Sequence, residues 1–169
     1  GLALLLWLCC FLWMLLPPLR RAPSPVSSGL RRALAAWEIL ARGGIETAAV
    51  NWGATWPADP HDGIVVSERA FARFTARLAP DRDVAPDSLQ AALAERFQAD
   101  LSAVRSGAGL PASSGAEEGL EATSITLDGY HGLVARRLFE AGMARVLLLY
   151  LPGLDIARAR VRARASAAD

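Results

Sequence analysis

Asp155 follows Val146-Leu147-Leu148-Leu149-Tyr150-Leu151-Pro152-Gly153-Leu154, an aliphatic run closed by a Pro-Gly turn. A carboxylate held at the end of a rigid strand can ligate a divalent metal, and it can equally N-cap a following helix. Thr55 lies in the segment Asn51-Trp52-Gly53-Ala54-Thr55-Trp56-Pro57-Ala58. Its hydroxyl becomes a nucleophile only where a metal or base activates it, and the sequence shows no such partner. Trp52 and Trp56 offer flat apolar surface, either to line a pocket against a substrate's ring or to wedge the loop against a helix. Asp59, His61 and Asp62 are the right types to hold a metal, but Pro60 and Gly63 favour a solvated turn. His131, three positions after Asp128, reads as a surface or capping residue. The chain has no dinucleotide fingerprint, P-loop, Ser-centred nucleophile elbow or paired-Cys zinc spacing.

Short extended pieces must position these groups. Residues 47–50 read as a buried strand and 63–67 as a second, which places the tryptophan segment on a loop at a strand's C-terminal end, where open α/β sheets carry their sites. Ser28 is expected to cap a helix bearing Leu30, Ala33, Leu34, Trp37 and Ala41 at helical spacing, ended by Gly43-Gly44. Further helices are expected around Phe71, Phe74 and Leu78, and after Pro86-Asp87 through Leu89, Leu93, Phe97, Leu101 and Val104. Residues 107–124 read as a Gly- and Ser-rich loop. Asp128 is expected to N-cap a helix through Val134, Leu138 and Ala141 that ends at Gly142, and residues 145–151 to form a doubly covered parallel strand. The whole predicts an α/β class: an incomplete doubly wound, mainly parallel sheet with flanking helices and right-handed crossovers.

The stretch from Ala36-Trp37-Glu38-Ile39-Leu40 through the tryptophan loop to Gly63-Ile64-Val65-Val66-Ser67-Glu68-Arg69-Ala70 resembles the alkaline phosphatase superfamily. Within it, the likeness is to bacterial type I phosphodiesterase and nucleotide pyrophosphatase-like hydrolases. The run ending in Asp155 is similar to that family's strand with a metal-binding Asp. The resemblance implies that Asp155 ligates one of two divalent metals, usually zinc, and that Trp52, Thr55 and Trp56 shape a pocket for a phosphoester small molecule. It also implies that residues 67–127 form an insertion or cap. Gly53 departs from the bulkier residue expected there, and Ala159 stands where a His ligand is expected. The nucleophile and the remaining ligands are expected outside these residues, so the chain reads as an internal fragment, inactive alone. The Arg-Ala alternation at its end reads as a sequence artefact.

The 169 residues suffice for one ordinary core and carry a formal charge of +1 with Arg as the only strong base, a balance that argues against a dedicated nucleic-acid binder. Cys9 and Cys10 are adjacent and offer neither a zinc spacing nor a disulfide framework. Residues 1–16 carry no charge, and Pro17-Pro18 and Arg20-Arg21 follow. This apolar helix has three readings: a membrane helix, the core of a secretion signal, or a helix packing on another part of the protein. A Pro-rich linker completes residues 1–27, and 28–169 read as the partial hydrolase domain. A small membrane-anchored interaction domain without catalysis is the competing reading of the whole chain.

Overall fold

The computed structural model describes residues 27–111 and 120–153 together with Asp155, Ile156 and Arg158. The expected helix of residues 1–16 lies outside them. Strands β1 (Thr47–Val50), β2 (Ile64–Val66), β3 (Val84–Ala85) and β4 (Val146–Leu149) form one sheet in the order β3-β2-β1-β4. β1 pairs in parallel with β2 and with β4, whereas β3 runs antiparallel to β2. Helices α1 (Ala36–Arg42), α2 (Ala70–Thr75), α3 (Asp87–Gly107) and α4 (Leu120–Glu140) flank this mixed, mostly parallel sheet. The α/β class expected from the sequence is therefore present.

β1 is buried throughout, and its Ala48 and Val50 face the same core as Val66 and Val84. Leu93 and Phe97 of α3 and Tyr130 and Val134 of α4 fill that core, so residues 67–127 contribute both a strand and core side chains to the sheet. Phe97 packs edge-on against Phe71 and Tyr130, with ring centroids 5.6 and 5.0 Å apart. α3 and α4 approach closely at Gly129, where a Cβ would come within 2.5 Å of Val104 Cγ1. An ion pair between the buried Asp100 and the partly exposed Arg137 joins the two helices. Ala58, Val65 and Ala85 form a smaller apolar cluster, and α1 lies against β1.

Three expectations change. The first helix is shorter, because a 3-10 turn at Ser28–Leu30 replaces its start. Ser28 spends its polar groups on the tryptophan loop instead of a cap, donating its N–H to Trp56 O at 2.5 Å and its hydroxyl to Pro57 O at 3.0 Å. α1 is capped instead by its own Glu38, whose carboxylate accepts the Ala35 N–H at 2.5 Å. Asp128 is not an N-cap, since α4 already begins at Leu120; the expected loop thus ends before Leu120, and residues 112–119 lie outside those described. Among the described residues β4 is not doubly covered: it stands at the end of their sheet and is only half-buried.

Candidate functional site

Two chain exits converge at the C-terminal rim of the parallel strands. The register sets Val50 of β1 beside Leu149 of β4, so the tryptophan loop and the turn leading to Asp155 leave the sheet side by side. Asn51 fixes this junction. It adopts a left-handed backbone with φ of 60°, which Asn tolerates better than most residues. Its N–H donates to Val66 O at 2.8 Å, and its Nδ2 donates to Tyr150 O at 2.9 Å. One buried residue thereby ties β1 to both neighbours, through its backbone to β2 and through its side chain to the exit of β4.

The loop beyond Asn51 is rigidly held. Trp52 is partly exposed, and its ring lies between Trp37 at 6.1 Å and Tyr150 at 5.8 Å, centroid to centroid. Thr55 is buried, with its hydroxyl oxygen 2.7 Å from Trp52 O and 2.6 Å from Glu68 Oε2. The same carboxylate oxygen accepts the Thr55 N–H at 3.2 Å. Glu68, just beyond β2, is thus the carboxylate partner that the sequence alone did not show. Trp56 donates Nε1–H to Asp81 O at 2.7 Å, and the Arg69 guanidinium stacks 3.8 Å above its ring. These contacts give Trp56 the geometry of a wedge and leave Trp52 as the tryptophan offered to solvent.

On the β4 side, Asp155 is exposed in a helical turn, next to Ile156, whose N–H donates to Pro152 O at 3.0 Å. The turn is held from beneath by Asp128, whose Oδ2 accepts the Gly153 N–H at 2.9 Å. A Cβ at Gly153 would lie 2.3 Å from that oxygen and 3.1 Å from Ser124 O, so only glycine permits the approach. Burial raises the Asp128 carboxyl above its ordinary pKa, and its buried Oδ1 has no hydrogen-bond partner among the described residues. The sequence reads Asp128 as an N-cap; its actual partner lies 25 positions away, at Gly153.

His131 is fully buried, not on the surface. Burial lowers its pKa to about 4, and Leu127 O accepts from Nδ1 at 2.9 Å in the neutral tautomer. Its Nε2 then has no hydrogen-bond partner among the described residues. The Asp59, His61 and Asp62 group divides. Asp59 accepts from the His61 N–H at 2.9 Å and lies 2.8 Å from Nδ1, which closes a solvated turn. Asp62 points inward toward Glu38, and burial together with that neighbour raises its pKa to about 6. Arg31 bridges the pair at 2.6 Å from Glu38 and 3.9 Å from Asp62. Despite its burial, Glu38 is held below the usual carboxylate range by the Ala35 N–H and Arg31.

Among the described residues no group of three or more His, Cys, Asp or Glu side chains could hold a metal ion. Asp155 stands as a single carboxylate, with no hydrogen bond or ion pair among those residues. These side chains alone do not compose a metal centre. Nor is any helix among the described residues long and apolar enough to cross a membrane. No protein-family model matches the chain, and no curated protein or solved structure matches it either.

Proposed function

We propose that this chain is part of a metal-dependent phosphoester hydrolase of alkaline-phosphatase-like architecture. In this reading Asp155 is one ligand to a divalent metal, zinc by preference, and Trp52 forms a wall of the substrate pocket on a loop that Thr55 and Trp56 hold in place. The remaining ligands and the nucleophile come from outside these residues. The observation that supports the reading is the shared rim: β1 and β4 run in parallel, and their exits bring Trp52 against Tyr150, five residues before Asp155. Ligand sites of open α/β sheets lie at such an edge. Asn51, Glu68 and Asp128 hold the two exits in place without needing to touch a substrate.

The test is hydrolysis of bis(p-nitrophenyl) phosphate by the uninterrupted coding sequence around these residues, compared with the 169-residue chain alone. The longer protein is expected to turn over the diester, to lose activity on chelation and to lose it in Asp155→Asn. The chain alone is expected to be inactive. Activity of the chain alone, or full activity of the Asp155→Asn protein, would refute the assignment.

A second reading, a membrane-anchored interaction domain without catalysis, draws support from the lone carboxylate and from the half-buried apolar strand at the sheet's end. An intact gene product that binds no divalent metal and hydrolyses no phosphoester would favour it.

A further inference from the structure

A cavity of about 250 Å³ opens beside α1, bounded by the segment that enters this helix, the turn at residues 59–62 and Arg82 ahead of β3. Three guanidinium groups line it, from Arg31, Arg42 and Arg82, together with the carboxyl groups of Glu38, Asp59 and Asp62. The count of charges does not choose a ligand for such a wall. The hydrogen-bonding capacity left after internal pairing does.

The carboxyl groups are largely spent. One Glu38 oxygen accepts the Ala35 N–H at 2.5 Å and the other lies 2.6 Å from Arg31 Nη2. Asp59 accepts the His61 N–H at 2.9 Å and sits 2.8 Å from the Nδ1 of that ring. Asp62 is buried beside Glu38, where burial and a like-charged neighbour both favour its protonated form.

The guanidinium groups keep their capacity. Arg42 is exposed and has no hydrogen bond or ion pair among the described residues. The side chain of Arg82 donates only to Ala58 O, at 3.4 Å. Arg31 stands 5.3 Å from the Trp37 ring centroid, and its Nε and Nη1 are buried without a hydrogen-bond partner among the described residues. Unpaired donors on three cations call for a ligand with several acceptor oxygens and negative charge, the geometry that guanidinium serves best.

We propose that this cavity binds a small oxyanion, a phosphate or sulfate group held by Arg31, Arg42 and Arg82. Glu38 positions Arg31 and leaves the anion to the three cations. The site has no residue in common with the rim assigned to a metal, and the proposal stands without the hydrolase reading.

Asp62 then makes binding sensitive to pH. The groups around it are Glu38 and Arg42 from α1, Arg31 from the segment before α1, Asp59 and the exposed His61 from its own turn, and Arg82 from the β3 side. Its nearest cation, Arg31, is 3.9 Å away, so ionisation of Asp62 adds a weakly compensated negative charge to the wall. Affinity for an anion is expected to be greatest below about pH 6 and to fall as pH rises through it.

The test is a sulfate titration of the 169-residue chain in non-ionic detergent at constant ionic strength, read from arginine Nε–H resonances. Sulfate keeps its charge between pH 5 and pH 8. Saturable shifts beyond a chloride control are expected, with ~10-fold weaker binding at pH 8 than at pH 5 and little pH dependence in Asp62→Asn. Arg31→Gln could disturb the Glu38 pairing and with it the fold, so the exposed Arg42→Gln and Arg82→Gln carry the mutational arm. Each is expected to weaken sulfate ~10-fold, whereas Arg145→Gln, outside the cavity, leaves it unchanged. Inorganic phosphate and glycerol 3-phosphate, compared at pH 5, distinguish a free anion from one carried on a small molecule, by which of them binds more tightly. Shifts no larger than with chloride would overturn the proposal. So would wild-type affinity in both Arg42→Gln and Arg82→Gln, or a pH dependence that Asp62→Asn leaves intact.

Discussion

Two of the buried titratable side chains, Asp62 and His131, contribute to the pH response with opposite sign. The folded protein raises Asp62 from 3.8 to about 6, mainly by burial and then by Glu38. Its stabilising contribution is therefore complete below pH ~4 and is lost as pH rises through about 6. His131 is lowered from 6.5 to about 4 by burial, so its contribution is complete above pH ~6.5 and is lost as pH falls toward 4. Between pH 4 and 6 the two slopes offset one another. Asp62→Asn is expected to stabilise the protein at pH 8 by on the order of 2 kcal/mol and to leave the His131 slope exposed, so that stability rises with pH from 4 to 6.5. Urea denaturation at pH 4, 6 and 8 reads this directly. An unchanged pH profile in Asp62→Asn would show that the carboxyl is not held in that environment. Thr55→Val removes a buried hydroxyl placed between Glu68 and the Trp52 carbonyl, and is expected to cost about 1–2 kcal/mol in the same assay.

At the scale of elements, two glycines mark where backbones come too close for any side chain. Gly63, with φ of 81°, turns the chain into β2, and a Cβ there would sit 2.6 Å from Thr47 Oγ1 and 2.8 Å from the Thr47 carbonyl oxygen. Gly63→Ala combines that clash with a disfavoured φ, and a loss of about 2–3 kcal/mol is expected in thermal or urea unfolding. At Gly153 the obstacle is a side chain, the Asp128 carboxylate, as well as the Ser124 carbonyl. Gly153→Ala is expected to push the β4 exit away from α4 and to raise amide exchange from Tyr150 onward, with little change in β1 and β2. Protection lost evenly across the sheet would contradict a local role for the Asp128 contact.

β1, β2, β4 and the helix after Pro86 are legible because their signals are local, whereas the two-residue β3 and the first turns of α4 carry no such signal. The apolar run at 146–149 and the spacing of Leu89, Leu93, Phe97 and Leu101 depend on neighbours a few residues away. Ser28 and Asp128 were misread for the opposite reason. Each is a good capping residue by type, but its partner lies far off in sequence, at Pro57 and at Gly153. His131 misleads because its spacing from Asp128 suggests a helix start at the surface; the packing of Phe71 and Tyr130 around it supplies the mark of burial. Glu68 was invisible as a partner for Thr55, since 13 residues and a whole strand separate them.

For the molecule as a whole, periodicity conveys the α/β class, but not that β3 runs antiparallel or that β4 stands at the end of the row. Strand order is a property of tertiary pairing, and an aliphatic run reads the same at the centre of a sheet as at its border. One juxtaposition, the tryptophan loop and Asp155 on a common rim, carries the proposed metal site. Anomalous diffraction at the zinc edge, on crystals of the protein encoded by the uninterrupted gene, examines both together. The account predicts a zinc peak about 2.0–2.2 Å from an Asp155 carboxylate oxygen, on the rim where Trp52 and Tyr150 meet. Zinc bound elsewhere, with the Asp155 carboxylate free in solvent, would contradict it.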